Sequence, residues 1–165
     1  MRERQPSEGT VERALAVAYR YVGRRERTEH ELLEHLQARD FADAIAGEAV
    51  SELRGLGYVD DARYARLFAQ DKRGLEGWGR ERIARVLRER GVSRELIEVA
   101  LDDQDREQEL EAALVVLRRR CPEPPRERRE RDHALGILLR KGYESELALE
   151  ALQVHLAEST TPSAR

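Results

Sequence analysis

The chain has 165 residues and a net charge of −3, with 38% charged and only 5% aromatic side chains. A single compact ball of that size needs less charged surface, so the composition points to thin helical units with much of their area in water. The slight acidity argues against a chain that is basic throughout and binds nucleic acid by charge alone, and the longest apolar run, Ala112 to Leu117, is far short of the roughly 20 residues that cross a bilayer.

In chain order, apolar residues recur with helical period and no credible alternating strand appears. Val11, Ala14, Leu15, Ala18 and Val22 form the first face, Leu32, Leu33 and Leu36 the second, and Ile45, Ala49, Val50, Leu53 and Leu56 the third. Ala62, Ala65, Phe68 and Ala69 follow, then Ile83, Val86 and Leu87, then Leu96, Ile97, Ala100 and Leu101. Leu110, Ala113, Leu114 and Leu117, then Ala134, Leu135, Leu138 and Leu139, then Leu147, Ala151 and Leu152 complete nine predicted helices.

Punctuation supports these elements. Thr28 with Glu31 is a capping box, in which hydroxyl and carboxylate satisfy free backbone donors reciprocally. Asp60 suits the start of the fourth helix, with Val59 and Tyr64 spaced as a hydrophobic staple. Gly91 and Gly142 suit the left-handed residue after a helix end, and Ser93 then caps the next helix. Asp40 takes the glycine position in the first such turn, which is expected to differ for that reason.

A shift of 51 residues aligns Leu36, Leu87 and Leu138; Phe41, Val92 and Tyr143; Ile45, Leu96 and Leu147; Ala49, Ala100 and Ala151; and Val50, Leu101 and Leu152. Five apolar columns in one register predict three tandem three-helix repeats. A unit of this size buries too little to stand alone, so neighbours must stack into an elongated, curved all-α solenoid. The expected organisation is a flexible 1–9, repeats at 10–57, 58–104 and 105–157, and a disordered tail at 158–165. "GLEGWG" (Gly74 to Gly79) reads as a linker exposing a tryptophan, and "CPEPP" (Cys121 to Pro125) as a non-helical bend.

Enzymatic chemistry finds no support. "HELLEH" places His30 and His35 five residues apart, about 140° around a helix, where a zinc-protease pair needs four. The two are expected to be exposed polar positions. No phosphate loop or nucleophile motif occurs, and the Asp60–Asp61 and Asp102–Asp103 pairs read as helix-end residues. No metal and no cofactor is expected. One cysteine, Cys121, cannot form an internal disulfide, and no apolar leader opens the chain, so a cytoplasmic protein is expected.

Charge is distributed unevenly. Residues 72–90 hold seven basic and three acidic side chains, and 118–141 hold nine and four, while Glu95 to Glu111 carries eight acids against Arg106 alone. Alternating zones suit a mixed protein–nucleic-acid partner better than bare DNA. Arg82, Arg85 and Arg88 recur every three residues away from Ile83 and Leu87, with Lys72, Arg73, Trp78 and Arg80 alongside. These seven are the candidate binding residues, set against the plainer reading of a solvated face neutralised by Glu81 and Glu89. Tyr64 and Phe68 are assigned mainly to the core.

"GYVDDARYARLF" (Gly57 to Phe68) followed by "GWGRERIARVLRERGV" (Gly77 to Val92) resembles the RecX family, regulators of the RecA recombinase. The likeness rests on Asp60–Asp61, Tyr64-Ala65, Phe68, Gly79, Ile83, Leu87 and Arg90-Gly91-Val92, and runs from about Ala14 to Leu156. It implies a non-enzymatic modulator of DNA repair and recombination in the SOS response. Such a protein lies in the groove of the RecA–DNA filament and inhibits filament growth, ATPase and strand exchange, acting as a monomer. Weak, sequence-independent DNA binding stays open beside it. The alternatives are a helix-turn-helix-like DNA-binding protein, with Ile83–Arg90 and Ser93–Leu101 as the helix pair, and a helical scaffold for another protein.

Overall fold

The structure, a computed structural model, describes residues 10–158. The expected flexible 1–9 and residues 159–165 of the expected disordered tail lie outside the described residues, while its first residue, Glu158, ends the last helix. Within them the chain is nine helices and no strand: α1 (Val11–Val22), α2 (Glu29–Gln37), α3 (Asp43–Gly55), α4 (Asp61–Glu76), α5 (Arg80–Glu89), α6 (Arg94–Leu101), α7 (Arg106–Arg120), α8 (Arg128–Lys141) and α9 (Ser145–Glu158). The first and third helices of each successive trio pack on each other and hold the second: α1 on α3, α4 on α6, α7 on α9. Each trio has its own apolar cluster.

The columns in the sequence build the core, with Phe41, Ile45 and Leu96 at its edges. Leu36, Leu87 and Leu138 are fully buried, as are Ala49 and Ala151, with Ala100, Val50, Leu101 and Leu152 nearly so. Truncating one such leucine to alanine costs about 2–5 kcal/mol, through lost transfer energy and the cavity left behind. Three positions assigned to apolar faces are not in the core: Leu56 is 58% exposed, and Ala62 and Leu139 point to solvent. Leu56 falls at the C-cap of α3, past the last turn that faces α1. The fourth helix is also longer than expected. It runs through Gly74 and Leu75 to Glu76, so only Gly77, Trp78 and Gly79 remain as the connection to α5.

Successive trios meet through the ends of their second helices. The C-terminus of α8 abuts the N-terminus of α5, and the C-terminus of α5 abuts the N-terminus of α2. At the first junction the Gly79 N–H donates to the Lys141 carbonyl (2.8 Å) and the Glu81 N–H to the Gly142 carbonyl (3.0 Å). Glu109, from α7, accepts from the Arg80 N–H at 3.1 Å. No side chain of its own caps α5, so the next trio satisfies its free donors. The second junction follows the same plan. Thr28 caps α2 by accepting from the Glu31 N–H (3.1 Å), and its hydroxyl donates to the Arg90 carbonyl (2.7 Å). Asp61, from α4, accepts from the Glu29 N–H at 2.9 Å. A carbonyl-rich helix end thus faces an N–H-rich one, which is favourable electrostatically.

These junctions dictate two glycines. A Cβ on Gly142 would lie 2.3 Å from the Arg82 Cβ, and one on Gly91 2.3 Å from the His30 Cβ. Both also hold positive φ, 90° and 78°. Asp40 has φ 61° in the equivalent turn, and contrary to expectation that turn is the same. The Phe41 N–H donates to the Leu36 carbonyl as Val92 does to Leu87 and Tyr143 to Leu138. Aspartate tolerates the left-handed region, so the turn forms without glycine.

Candidate partner-binding surface

The seven basic and aromatic candidates divide into three groups. Arg73 and Arg80 converge on the last turn of α6. Both donate to the Leu101 carbonyl, at 3.2 and 3.0 Å, and they pair with Asp103 and Asp102 at 3.1 and 3.2 Å. Arg73 is largely buried. Unpaired carbonyls and two aspartates make this helix end strongly negative, and two guanidiniums neutralise it. The Asp102–Asp103 pair is therefore an anchor for the α4–α5 connection, as Asp60 is a cap, accepting from the Arg63 N–H at 2.9 Å.

Lys72, Trp78 and Arg82 form the second group. The Arg82 guanidinium lies 3.9 Å and the Lys72 ammonium 4.9 Å from the centre of the Trp78 ring, and Phe68 meets that ring edge-on at 6.2 Å. Trp78 is half-buried in this cation–π cluster and not exposed as expected. Lys72 is ion-paired with Glu76. Arg82 also donates to the Arg140 carbonyl (3.3 Å) across the junction. It shares a 370 Å³ cavity with Arg120, His133, Ile137, Arg140 and Lys141. Burial, with Arg120, Arg82 and Arg119 nearby, holds the Lys141 ammonium below its ordinary pKa. The contributions of Arg120, Arg140 and Lys141 were missed as partners of Arg82; the basic excess over 118–141 was their signal, but only the junction brings it to α5.

Arg85 and Arg88 are the third group. Both are exposed, and among the described residues neither is ion-paired or hydrogen-bonded through its guanidinium, Glu81 and Glu89 included. They line a groove between α5 and α6 with Arg80, Glu81, Arg94 and Glu98, over Ile97 and Leu101, and Arg94 pairs with Glu98 at 2.7 Å. With Ile83 and Leu87 buried, Arg85 stands at the centre of the outward face of α5, and Arg82 and Arg88 are about 60° to either side. The sequence-derived stripe is a fan whose edges face different grooves.

Tyr64 is buried and Phe68 partly so, and both rings carry Arg90 against them. Of the histidines noted in sequence, His30 pairs with Glu34 at 3.3 Å, whereas His35 is half-buried against Tyr21 instead of exposed. Among the described residues no group of three His, Cys, Asp or Glu side chains is arranged to hold a metal, and no helix is long and apolar enough to cross a membrane.

The regions just described coincide with known modules. The family model for the first three-helix domain of RecX matches residues 14–53, and that for the second matches residues 60–101. The regulatory protein RecX of Streptomyces coelicolor is 32% identical over 157 residues, spanning 93% of this chain and 83% of its own. The chain belongs to the RecX family. The RecX of Deinococcus radiodurans is 37% identical over 144 residues, 86% of this chain and 69% of the relative. The crystal structure of RecX from Lactobacillus salivarius has the same fold, with a TM-score of 0.78 at 20% identity over 88% of this chain and 96% of that one. A second RecX crystal structure matches with a TM-score of 0.70 at 25% identity, over 87% and 73%. RecX proteins are regulatory and not catalytic, which agrees with the absence of enzyme motifs in the sequence.

Proposed function

We propose that this RecX homologue binds along RecA–DNA filaments and inhibits filament growth, and with it ATP hydrolysis and strand exchange. The observation that carries the reading is the arginine fan on α5, in which Arg85 and Arg88 have no ion pair among the described residues, held at the middle of three stacked units. Lys72, Arg73, Trp78 and Arg80 serve mainly to position that helix. Arg82, Arg85 and Arg88 face the partner. A linear array of units offers several weak contacts to successive protomers of a polymer, which sum to useful avidity. A monomer suffices for this. The setting is the cytoplasm, where RecA filaments form during DNA repair.

Sequence-specific DNA reading is disfavoured. In a helix-turn-helix arrangement α6 would enter the major groove, yet its exposed positions include Glu95, Glu98 and Val99. Carboxylates there are repelled by phosphates. The test is co-sedimentation with RecA filaments on single-stranded DNA. Arg85→Glu with Arg88→Glu should weaken binding about 10-fold, by replacing attraction with repulsion at the interface, while leaving the melting temperature unchanged. Undiminished binding by the folded variant removes α5 from the interface.

A further inference from the structure

The first three-helix unit holds a second basic site, distant in sequence from the α5 fan. Arg20, Arg24, Arg39, Tyr21, His35 and Val17 enclose a pocket of 180 Å³ where the ends of α1 and α2 meet. No carboxylate lines it. The acids of α2 are engaged elsewhere: Glu29 with Arg54 at 3.1 Å, Glu31 with Arg25 and Arg27 at 3.6 and 3.8 Å, and Glu34 with His30.

Two of the arginines do part of a structural task. Arg20 donates through Nε to the Ala16 carbonyl (3.2 Å), and Arg39 donates to the His35 carbonyl (3.1 Å). A guanidinium has five N–H donors in a fixed fork, so most of each remains available. Arg24 is exposed and makes no ion pair or hydrogen bond among the described residues. The wall opposite is rigid: the Tyr21 and His35 rings stack at 3.6 Å with 15° between planes, and Arg27 covers Tyr21 at 4.1 Å. With both faces of Tyr21 covered, no base can stack there. The pocket is open on one side, and its volume accommodates one small oxyanion.

We infer that this pocket binds a single phosphate group, held by the forks of Arg20, Arg24 and Arg39. Bidentate guanidinium–phosphate geometry is the chemistry that such a cluster recognises. His35 reports occupancy. Burial, then Arg39, Arg27 and Arg24, hold its imidazole below the ordinary histidine pKa. A bound dianion cancels the arginine contribution, so the pKa must rise on binding.

The experiment is an NMR pH titration of the histidine ring protons of the full chain, with the His35 signal assigned from the His35→Gln variant. One arm adds inorganic pyrophosphate to about 10 mM, a concentration that detects millimolar affinity. The other adds a short oligodeoxythymidylate. A rise of about 0.5–1 pH unit in the His35 midpoint, lost in Arg24→Glu, supports the site. Pyrophosphate alone causing the rise identifies a free-phosphate site, and the oligonucleotide causing it identifies a strand phosphate. No rise in either arm overturns the inference, as does a rise that survives Arg24→Glu combined with Arg39→Ala. Arg24 has no structural partner, so its variant folds. RecA is absent from the assay, so the outcome is independent of filament binding.

Discussion

The end of α2 and the ends of α5 and α8 carry the same turn, but among the described residues only the latter two are docked against the start of another helix. Asp40 occupies the left-handed position at the first, and Gly91 and Gly142 occupy it at the docked ends. The hydrogen bonds of the three turns are alike, so the turn does not require glycine. The junction does. A side chain at Gly91 or Gly142 would enter the first turn of the neighbouring unit's second helix, whereas among the described residues no helix start abuts Asp40. What looks in sequence like a lapse in the repeat falls at the one such turn that no described helix covers.

The largest effect should come from filling that junction. Gly142→Ala combines an unfavourable φ with a contact inside 2.6 Å of Arg82 backbone and side-chain atoms, and should cost about 3 kcal/mol or more in chemical denaturation. Gly91→Ala should behave similarly. Thr28→Ala removes one hydroxyl that both caps α2 and bonds the last carbonyl of α5; a loss of about 1–2 kcal/mol is expected. A smaller effect would show that the second junction contributes little.

Tyr143 sharpens the comparison through pH. Its hydroxyl donates to the Gly77 carbonyl at 3.1 Å, and burial, with Glu109 nearby, pushes its pKa up from 10.0 to about 12. The folded chain therefore keeps this proton after the unfolded chain has lost it. The stabilisation from the neutral phenol is complete below pH 10 and is lost between about pH 10 and 12, on the order of 2 kcal/mol. Tyr143→Phe should be about 1 kcal/mol less stable at pH 7, through the lost hydrogen bond, and should lack that alkaline decline. Asp40→Gly should change stability least, by within about 1 kcal/mol, because relief of the strained φ and the added entropy of glycine nearly cancel.

The register of apolar columns was legible in the sequence because helix packing repeats faithfully: Leu36, Leu87 and Leu138 all end up fully buried. The caps at Thr28, Asp60 and Ser93 were legible because capping is local chemistry. What escaped was non-local. Nothing in the neighbourhood of Arg73 or Arg80 announces that both will close the end of α6, and nothing near Trp78 reveals that Arg82 will cover it. The cation–π pairing illustrates this. Tyr21 with Arg27 in the first unit corresponds in register to Lys72 with Trp78 in the second, so cation and aromatic exchange places while the contact is kept. Alignment by residue type conceals such a pair. The Tyr21–His35 stack was similarly invisible, since it joins two helices through side chains with no shared motif.

On the proposed reading, Arg80 ties α5 to the end of α6, Arg82 packs on Trp78 and also faces the partner, and Arg85 and Arg88, without ion pairs among the described residues, carry most of the contact. The most direct test is the ATPase of RecA on single-stranded DNA with the chain titrated in. Inhibition that saturates below one chain per RecA protomer, and that weakens when Arg85 and Arg88 are reversed to glutamate, is the predicted result. An ATPase rate unmoved by an excess of the folded wild-type chain would contradict the account.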